Sequence, residues 1–226
     1  MIRTAADAEL LGLTYDRVLA ASFPETELVT REDFLDAGMR GELDVLVARE
    51  GEQIAGTIVG ERHGSAVLVD WLAVASTFRC SGTGTALVEA GNARWTAWDG
   101  IRLVVAEVER PDVFAPHPRF GDPARRLRFY ERLGAAVLDL PYYQPPVREG
   151  MPRVRGLLLT VLAAGTSSAP RILSAEETAA VRGLLLATMG AADDDETARI
   201  YDAVDAPGGL GLLPPADYRQ VPLSAP

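Results

Sequence analysis

The sequence contains no lysine, since all 22 of its basic side chains are arginine. Without lysine, Schiff-base catalysis and self-acylation on a lysine amine are excluded. Cys80 is the single cysteine, which excludes an intramolecular disulfide and a multi-cysteine metal cage. The two histidines, His63 and His117, lie far apart with no cysteine or carboxylate at ligand spacing, so we expect no metal site.

Long apolar runs are also missing. No stretch reaches the roughly 20 apolar residues that a bilayer crossing needs, so we expect no membrane partner. The N-terminal segment carries the acidic Asp7 and lacks the apolar core of a secretory signal, which predicts a cytoplasmic location. The formal net charge of −10 argues against a nucleic-acid partner, which would require basic patches, and is compatible with a cationic substrate.

Hydrophobic periodicity and turn residues predict an alternation of helices and strands. Helices are predicted at Ala8–Phe23, Thr30–Met39, Thr85–Trp98, Pro123–Leu133, Ser174–Met189 and Asp193–Val204. Strands are predicted at residues 2–5, Leu43–Arg49, Gln53–Glu61, Ala66–Ala75, Ile101–Glu109, Ala135–Leu140 and Arg155–Leu162. This order indicates a mixed sheet with helices on its faces.

The composition changes at Ala163–Pro170, which reads as a linker. We therefore expect a domain over residues 1–163 and a C-terminal extension over residues 164–226. The extension is predicted to contain two helices, followed by an extended or irregular segment at Asp205–Pro226 that is rich in glycine and proline. Its apolar first helix is expected to pack on the core or on a second subunit, so a homodimer stays open.

The turn Arg79–Gly84 lies between a predicted strand and a predicted helix. Gly82 and Gly84 allow the backbone to come close to a ligand, and the first N–H groups of the helix have no partner within the helix. Such a helix start binds anions, and Arg79 adds a positive charge that suits a diphosphate. No lysine follows the glycines, and the three-glycine spacing of a dinucleotide fingerprint is absent, so a P-loop or Rossmann site is not indicated.

Two motifs carry a resemblance to a known family. Leu72–Val74 followed by Arg79–Gly84 resembles the acetyl-CoA motif of the GNAT superfamily of acyl-CoA N-acyltransferases, an Arg/Gln-x-x-Gly-x-Gly/Ala turn preceded by Leu-x-Val. Phe129–Ala135 resembles the family's Phe-Tyr-Glu-x-Leu-Gly-Phe segment. The sequence departs from the pattern twice: Cys80 stands where a glycine is usual, and Pro123 stands where an asparagine is usual.

The resemblance implies an α/β GNAT fold: a mixed, mostly antiparallel seven-stranded sheet flanked by helices, here with a helical C-terminal extension. It implies acetyl-CoA as co-substrate. The residues expected to contact it by this resemblance are Leu72, Ala73, Val74, Arg79, Cys80, Ser81, Gly82, Thr83, Gly84 and Thr85. With Pro123 in place of the usual asparagine, Arg126 together with Arg125 and Arg128 is expected to face the CoA phosphates instead, and a solvated charged face is the alternative interpretation of these arginines.

The resemblance further implies an N-acetyltransferase that moves an acetyl group to a primary amine by direct attack. Glu107, which matches the glutamate of the family's Leu-Glu-Val-Arg strand, is the first candidate for the general base, and Asp70 is the second. Tyr130 is the candidate general acid that protonates the departing thiolate. Backbone N–H groups near Val74 are expected to meet the developing oxyanion.

Other interpretations remain open from the sequence. The same phosphate-binding turn would serve a catalytically silent acyl-CoA-binding sensor or scaffold module. Either carboxylate, Glu107 or Asp70, has an alternative interpretation as a strand-end side chain facing solvent. The acceptor is expected to be a small amine, a peptide N-terminus or a lysine side chain. Its pocket is expected at Phe23–Met39, Pro111–Asp122 and Pro141–Pro152, where Phe114, Phe120, Tyr142 and Tyr143 lie.

Overall fold

The computed structural model describes residues 1–164 and 169–224. The centre of the predicted linker, residues 165–168, lies outside the described residues. The described strands are β1 (Ile2–Thr4), β2 (Leu43–Glu50), β3 (Gln53–His63), β4 (Ala66–Val74), β5 (Leu103–Glu109), β6 (Ala136–Leu138), β7 (Tyr143–Gln144), β8 (Val154–Arg155), β9 (Leu157–Ala164), β10 (Arg171–Ile172) and β11 (Gly211–Leu213). Nine of these described strands form one sheet, in the order β1-β2-β3-β4-β5-β9-β6-β11-β10, and β7 pairs with β8 alone.

The sheet is mixed and mostly antiparallel, as predicted. Every neighbouring pair of described strands in it is antiparallel except β4 and β5, which run parallel. The predicted count of seven strands was too low, because β10 and β11 of the C-terminal extension add to the edge at β6. The predicted boundary after residue 163 stays a prediction, although the sheet of residues 1–164 continues into the extension.

The extension also holds more regular structure than was predicted. Asp205–Pro226 was expected to be extended or irregular; its extended part includes β11, whereas the 3-10 helix at Pro215–Gln220 was not predicted. Leu210, Leu212 and Val221 are almost fully buried there. The alternation of these few apolar residues was masked by the surrounding glycines and prolines, which usually interrupt strands.

The described helices are α1 (Ala8–Thr14), α2 (Ala20–Ser22), α3 (Arg31–Arg40), α4 (Thr83–Thr96), α5 (Pro123–Arg132), α6 (Ala175–Met189) and α7 (Asp195–Val204). A π-helical turn, Tyr15–Leu19, joins α1 to α2. Local signals set the helix ends: the Thr30 hydroxyl accepts from Asp33 N–H (3.1 Å), and Ser174 and Glu177 form a complete capping box. Among the described helices, none has the length and apolarity needed to cross a membrane.

The helices cover both faces of the sheet because alternate strand residues bury on opposite sides. Helices α1 and α3 pack on one face, where Leu11 and Phe34 join a cluster with the β2–β4 residues. Helices α4 and α5 pack on the opposite face, where Trp95 is fully buried. Helices α6 and α7 cover the side of the sheet opposite α4 and α5, with Val181 and Leu185 in a cluster that includes residues of β5 and β9.

Candidate active site

The two parallel strands separate in the middle of the sheet. Residues Ala66–Val69 of β4 pair with Leu103–Ala106 of β5, and the pairing ends there. The next residues along the two strands are Asp70 and Glu107. Asp70 is the extra residue of a β-bulge, because Val69 pairs with Gly60 and Trp71 pairs with Val59 on β3. Two carboxylates therefore stand where the sheet opens.

The opening is a cleft of about 1100 Å³. One end is formed by residues of the predicted phosphate-binding turn, including Arg79, Gly82 and Gly84. The other end is formed by all three segments that were expected to surround an acceptor, represented by Phe23, Phe120 and Gln144. Asp70, Glu107 and Tyr130 line the space between them. The cleft thus brings the predicted catalytic and cofactor-binding residues to one place.

The turn at the cleft end has backbone groups ready for an anion. Gly82 adopts a left-handed conformation (φ 86°) as the N-cap of α4. Within the described part of the chain, no backbone acceptor bonds the N–H groups of residues 80–85. These free donors and the positive end of the helix suit a phosphate.

Two hydroxyls stiffen this turn. Ser81 Oγ donates to Phe78 O (2.6 Å) and lies 2.7 Å from Thr83 Oγ1. Ser81 and Thr83 are thus engaged within the turn, whereas Cys80 and Thr85 line the cleft.

The backbone conformation of Cys80 explains why glycine is usual at this position of the family pattern. Its φ is 65°, the left-handed region that favours glycine, and it is the one described non-glycine residue with a positive φ. The glycine usual at this position avoids a steric cost of roughly 1 kcal/mol that Cys80 incurs. The cysteine is exposed.

The end of β4 has an open backbone edge. Ala75 N–H donates to Ala55 O on β3 (2.9 Å), so alternation along an antiparallel pair points the backbone groups of Ala73 toward β3 as well. The intervening residues Leu72 and Val74 therefore direct their N–H and C=O groups to the side on which β5 has separated. All three residues line the cleft, but only Leu72 and Val74 offer it backbone hydrogen bonds.

The Glu107 carboxylate is held by two donors. Tyr142 Oη donates to Oε1 (2.6 Å), and Gln144 Nε2 donates to Oε2 (2.7 Å). Burial raises the pKa of Glu107 from its ordinary value to about 7, although both hydrogen bonds act to lower it. The nearby carboxylate of Glu27 also raises it. The interpretation of Glu107 as a solvent-facing strand end does not describe a buried carboxylate with a pKa near neutrality.

Asp70 is a second buried carboxyl group. Its Oδ2 atom is inaccessible to solvent and has no hydrogen-bond partner among the described residues. Burial raises the pKa of Asp70 well above its ordinary value, and the neighbouring carboxylates of Glu61 and Glu107 raise it further. The charged form of Asp70 is therefore disfavoured in this part of the cleft.

Tyr130 lies on α5, with its ring edge against Phe129 and its centroid 5.1 Å from that of Phe129. It is 5 % exposed, and burial raises the pKa of its phenol to about 12, while the positive charge of Arg126 opposes the rise. The hydroxyl therefore keeps its proton at neutral pH. Phe129 also lies close to Gly84, where an added Cβ atom would approach Phe129 Cζ to 3.4 Å.

Arg126, predicted to contact the cofactor, is already engaged. Its Nη1 donates to Glu109 Oε2 (2.7 Å) and its Nη2 to Phe120 O (2.7 Å). Arg125 lines the same cleft and has an 83 % exposed side chain, with its Nε 3.6 Å from Asp122 Oδ2. Of Arg125 and Arg126, Arg125 has the freer guanidinium group. A cofactor contact of Arg126 stays a prediction.

Sequence reasoning missed two polar residues of the cleft. Glu27 follows the first helices, and burial raises its pKa, as does the carboxylate of Glu109, whereas Arg126 lowers it. Gln144 bonds Glu107 from a Pro-rich segment. Both residues lie in segments that were expected to surround the acceptor, Phe23–Met39 and Pro141–Pro152, but neither belongs to a motif. Phe120 lines the cleft as expected, whereas Phe114 packs into the core and Tyr142 contacts the back of Glu107.

Comparison with known proteins agrees with this arrangement. Residues 41–134 match the model of the acetyltransferase (GNAT) domain. No curated protein matches the chain at a significant level.

Solved structures with the same fold are also found. A GNAT-family protein from Bacteroides thetaiotaomicron matches with a TM-score of 0.63 and 24% identity, over 84% of this chain and 99% of that one. The ribosomal-protein-S18-alanine N-acetyltransferase from Escherichia coli matches with a TM-score of 0.50 and 17% identity, over 77% and 98% of the chains. An acetyltransferase-like protein from Salmonella typhimurium, solved with its cofactor acetyl-CoA, matches with a TM-score of 0.51 and 19% identity, over 76% and 98%. Residues 41–134 are thus similar to the GNAT acetyltransferase domain, and the chain shares the fold of these solved structures.

Proposed function

We propose that this protein is an N-acetyltransferase that moves an acetyl group from acetyl-CoA to a primary amine by direct attack. The observation that carries the proposal is the content of a single cleft. A buried carboxylate with a pKa of about 7, a protonated tyrosine and a turn with free backbone N–H groups all line it. These are the groups that amine deprotonation, thiolate protonation and diphosphate binding require.

The turn and the open strand edge would hold the thioester co-substrate. The free N–H groups of residues 80–85 and the charge of Arg79 suit its diphosphate. Leu72 and Val74 present backbone groups that suit the amides of the pantetheine arm, in the manner of an added strand. The thioester carbonyl would then lie at the point where β4 and β5 separate, within reach of backbone donors near Val74.

Glu107 is the preferred general base. A base works best when its pKa lies near the operating pH, because it must be ionised yet still take a proton. Glu107 meets this condition with a pKa of about 7. Asp70, whose pKa lies well above its ordinary value, is better suited to accept a hydrogen bond from the incoming amine or to relay a proton.

Tyr130 is the proposed general acid. With a pKa of about 12, its phenol holds a proton at every pH at which the protein is expected to work, and that proton can pass to the thiolate as the C–S bond breaks. The α5 helix that carries Tyr130 borders the phosphate-binding turn through the contact of Phe129 with Gly84. The acid therefore sits close to the cofactor end of the cleft.

The acceptor is proposed to enter as a cation. Asp70, Glu107, Glu109 and Glu27 line the cleft, and of these only Glu109 is paired with an arginine, Arg126. An ammonium group reduces the electrostatic cost of this group of carboxylates. We propose a cytoplasmic site of action with a small amine or a peptide amine as the acceptor.

The test is a panel of primary amines with acetyl-CoA, following thiol release. Wild-type protein is expected to acetylate at least one amine, and Glu107→Gln and Tyr130→Phe are expected to bind acetyl-CoA but to turn over poorly. Glu131→Gln, an exposed change on the same helix as Tyr130, is the matched control and should retain wild-type turnover. Binding of acetyl-CoA without turnover by any amine would instead favour the silent sensor or scaffold module.

A further inference from the structure

The segment Tyr142–Gln144 forms the back wall of the Glu107 site. Tyr142 Oη and Gln144 Nε2 occupy one carboxylate oxygen each, so the orientation of the Glu107 carboxylate is fixed at both ends. Burial and the adjacent Glu107 raise the pKa of Tyr142 well above its ordinary value, so it remains a donor. Gln144 Oε1 is buried without a hydrogen-bond partner among the described residues, and Gln144 lines the cleft.

The residue between these two donors is held by the C-terminal extension. Alternation along β7 sends Tyr143 to the side opposite Tyr142 and Gln144. There its hydroxyl lies 2.6 Å from Thr197 Oγ1 on α7, and Thr197 is almost completely buried. Ser224, near the end of the described chain, donates from Oγ to Tyr142 O (2.9 Å).

The partner strand β8 is held by the same helix. Arg155 on β8 pairs in register with Tyr143 and makes two bonds to Glu196 on α7, from Nε and Nη2, each 2.8 Å long. Arg153 donates to Glu196 (3.1 Å) and bonds Asp194, and its guanidinium lies 4.4 Å from the centre of the Tyr143 ring. Glu196 is only 5 % exposed, whereas the side chains of Arg153 and Arg155 are 27 % and 43 % exposed, so these contacts form a partly buried two-arginine clamp.

We propose that the C-terminal extension contributes to the active site. Helix α7 holds Tyr142 and Gln144, which act as positioning residues for Glu107. Gln144 Oε1 and Asp70 Oδ2 bind the acceptor amine. This inference rests on the proposed function. A primary ammonium has three N–H donors. Asp70 Oδ2, Gln144 Oε1 and the Glu107 carboxylate supply three oxygen acceptors, two of which have no partner within the described protein. A protonated amine is the ligand class that this set fits.

Glu27 from the turn after α2, Tyr142 from the segment before β7 and Gln144 from β7 act directly on the pKa of Glu107. Asp70 on β4 also interacts with Glu107, since the charge of Glu107 raises the pKa of Asp70, and the Glu109–Arg126 pair of β5 and α5 acts on Glu27. Tyr142→Phe removes a donor to the carboxylate and leaves the burial and the other groups in place. The pKa of Glu107 should therefore rise.

The first test is Tyr142→Phe. The acidic limb of the pH profile of kcat/KM should move up by about one pH unit, which lowers the rate at pH 7 about fivefold, because a hydrogen bond to a charged group is lost. The Glu107 carboxyl pKa, followed by carbon-13 NMR of the labelled side chain, should move by the same amount. An unchanged limb and an unchanged pKa would overturn the positioning role of Tyr142.

The second test acts from a distance through α7. Thr197→Val removes the hydroxyl that bonds Tyr143, and Glu196→Gln weakens the two-arginine clamp. Both should shift the pKa of Glu107 in the direction of Tyr142→Phe, and Thr197→Val should add little to Tyr142→Phe in the double variant, because both changes act through one contact. Arg182→Gln is the matched control, since it removes an ion pair of α6 with Asp205 without touching β7 or β8.

The outcomes separate the inference from the proposed function. If the α7 variants shift the pKa of Glu107, measured by NMR, by more than Arg182→Gln does, the inference is supported even if no amine is acetylated. If the α7 variants turn over normally, and their pH profiles and Glu107 pKa values match those of the Arg182→Gln control, the inference is overturned. The proposed function would then still stand. For amine binding, Gln144→Met should raise KM for the acceptor at least tenfold at a pH where Glu107 is fully ionised; an unchanged KM would overturn that part.

Discussion

Replacing Glu107 with glutamine should make the folded protein more stable at alkaline pH. Burial raises the pKa of Glu107 from 4.5 to about 7, so its ionised form is disfavoured in the folded state. A carboxyl group with a raised pKa stabilises the fold fully below its unfolded pKa, and that contribution is lost as the pH rises through the folded pKa. Wild-type protein should therefore lose stability between about pH 5 and pH 8, whereas Glu107→Gln should not lose this contribution.

The size of the effect follows from the two pKa values. Their difference, about 7 minus 4.5, is about 2.5, which corresponds to about 3 kcal/mol of unfolding free energy above pH 8. The new amide can be accommodated, because its oxygen can accept from Tyr142 Oη and its nitrogen can donate to Gln144 Oε1 once the Gln144 amide turns over to present that oxygen. Glu107→Gln also removes one of the charges that raise the pKa of Asp70, so the change at Asp70 stabilises the variant at alkaline pH in the same direction.

The assay is urea unfolding followed by tryptophan fluorescence at pH 5 and pH 8.5, with Glu131→Gln as an exposed control. Glu107→Gln should exceed wild type at pH 8.5 by about 3 kcal/mol and by much less at pH 5. The control should differ from wild type by less than about 0.5 kcal/mol at either pH. A Glu107→Gln protein that is no more stable than wild type at pH 8.5 would refute the inference that the ionised Glu107 carboxylate destabilises the folded protein.

Three further changes test other parts of the structure. Tyr130→Phe should lower kcat by about 10²–10⁴-fold while calorimetric binding of acetyl-CoA is retained, because only proton donation is lost; an unaltered kcat would remove Tyr130 from the mechanism. Cys80→Gly should raise the urea-derived unfolding free energy by about 0.5–1 kcal/mol relative to Cys80→Ala, because only glycine adopts φ 65° without steric cost; equal stability of the two variants would contradict the strained turn. Gly60→Ala should destabilise by about 1–3 kcal/mol, because its Cβ would lie 2.6 Å from Cζ2 of the fully buried Trp95; a change below about 0.5 kcal/mol would mean that this contact is looser than described.

The sequence was most informative where local chemistry determines structure. The N-cap residues Thr30 and Ser174 and the glycine at position 41 indicated where α3 and α6 lie. The strand, glycine turn and helix at Leu72–Leu87 predicted both the family and the anion-binding end of the cleft. The match of residues 41–134 to the GNAT domain agrees with the predicted family, and the mixed sheet confirms the fold class. The residue roles assigned to this cleft stay predictions.

The rest depended on contacts between distant residues. Gln144 and Glu107 are bonded across 37 positions, and Tyr143 and Thr197 across 54, so no local pattern could indicate them. The two extra strands escaped prediction because β10 is two residues long and β11 three, too short for a period-two signal. The engagement of Arg126 with Glu109 was equally hidden, because helical spacing shows which residues share a face but not which of them already have a partner.

The central claim is that the turn at residues 79–85 binds the diphosphate of acetyl-CoA while Glu107 and Tyr130 act on the bound thioester. The most direct measurement is calorimetric titration of the full chain with acetyl-CoA and with a matched short thioester that lacks the nucleotide. We expect acetyl-CoA to bind with a dissociation constant in the range of about 1 μM to 1 mM, as substrates of enzymes commonly do, and the short thioester to bind far more weakly. Absence of measurable acetyl-CoA binding, or equal binding of the two compounds, would contradict the account.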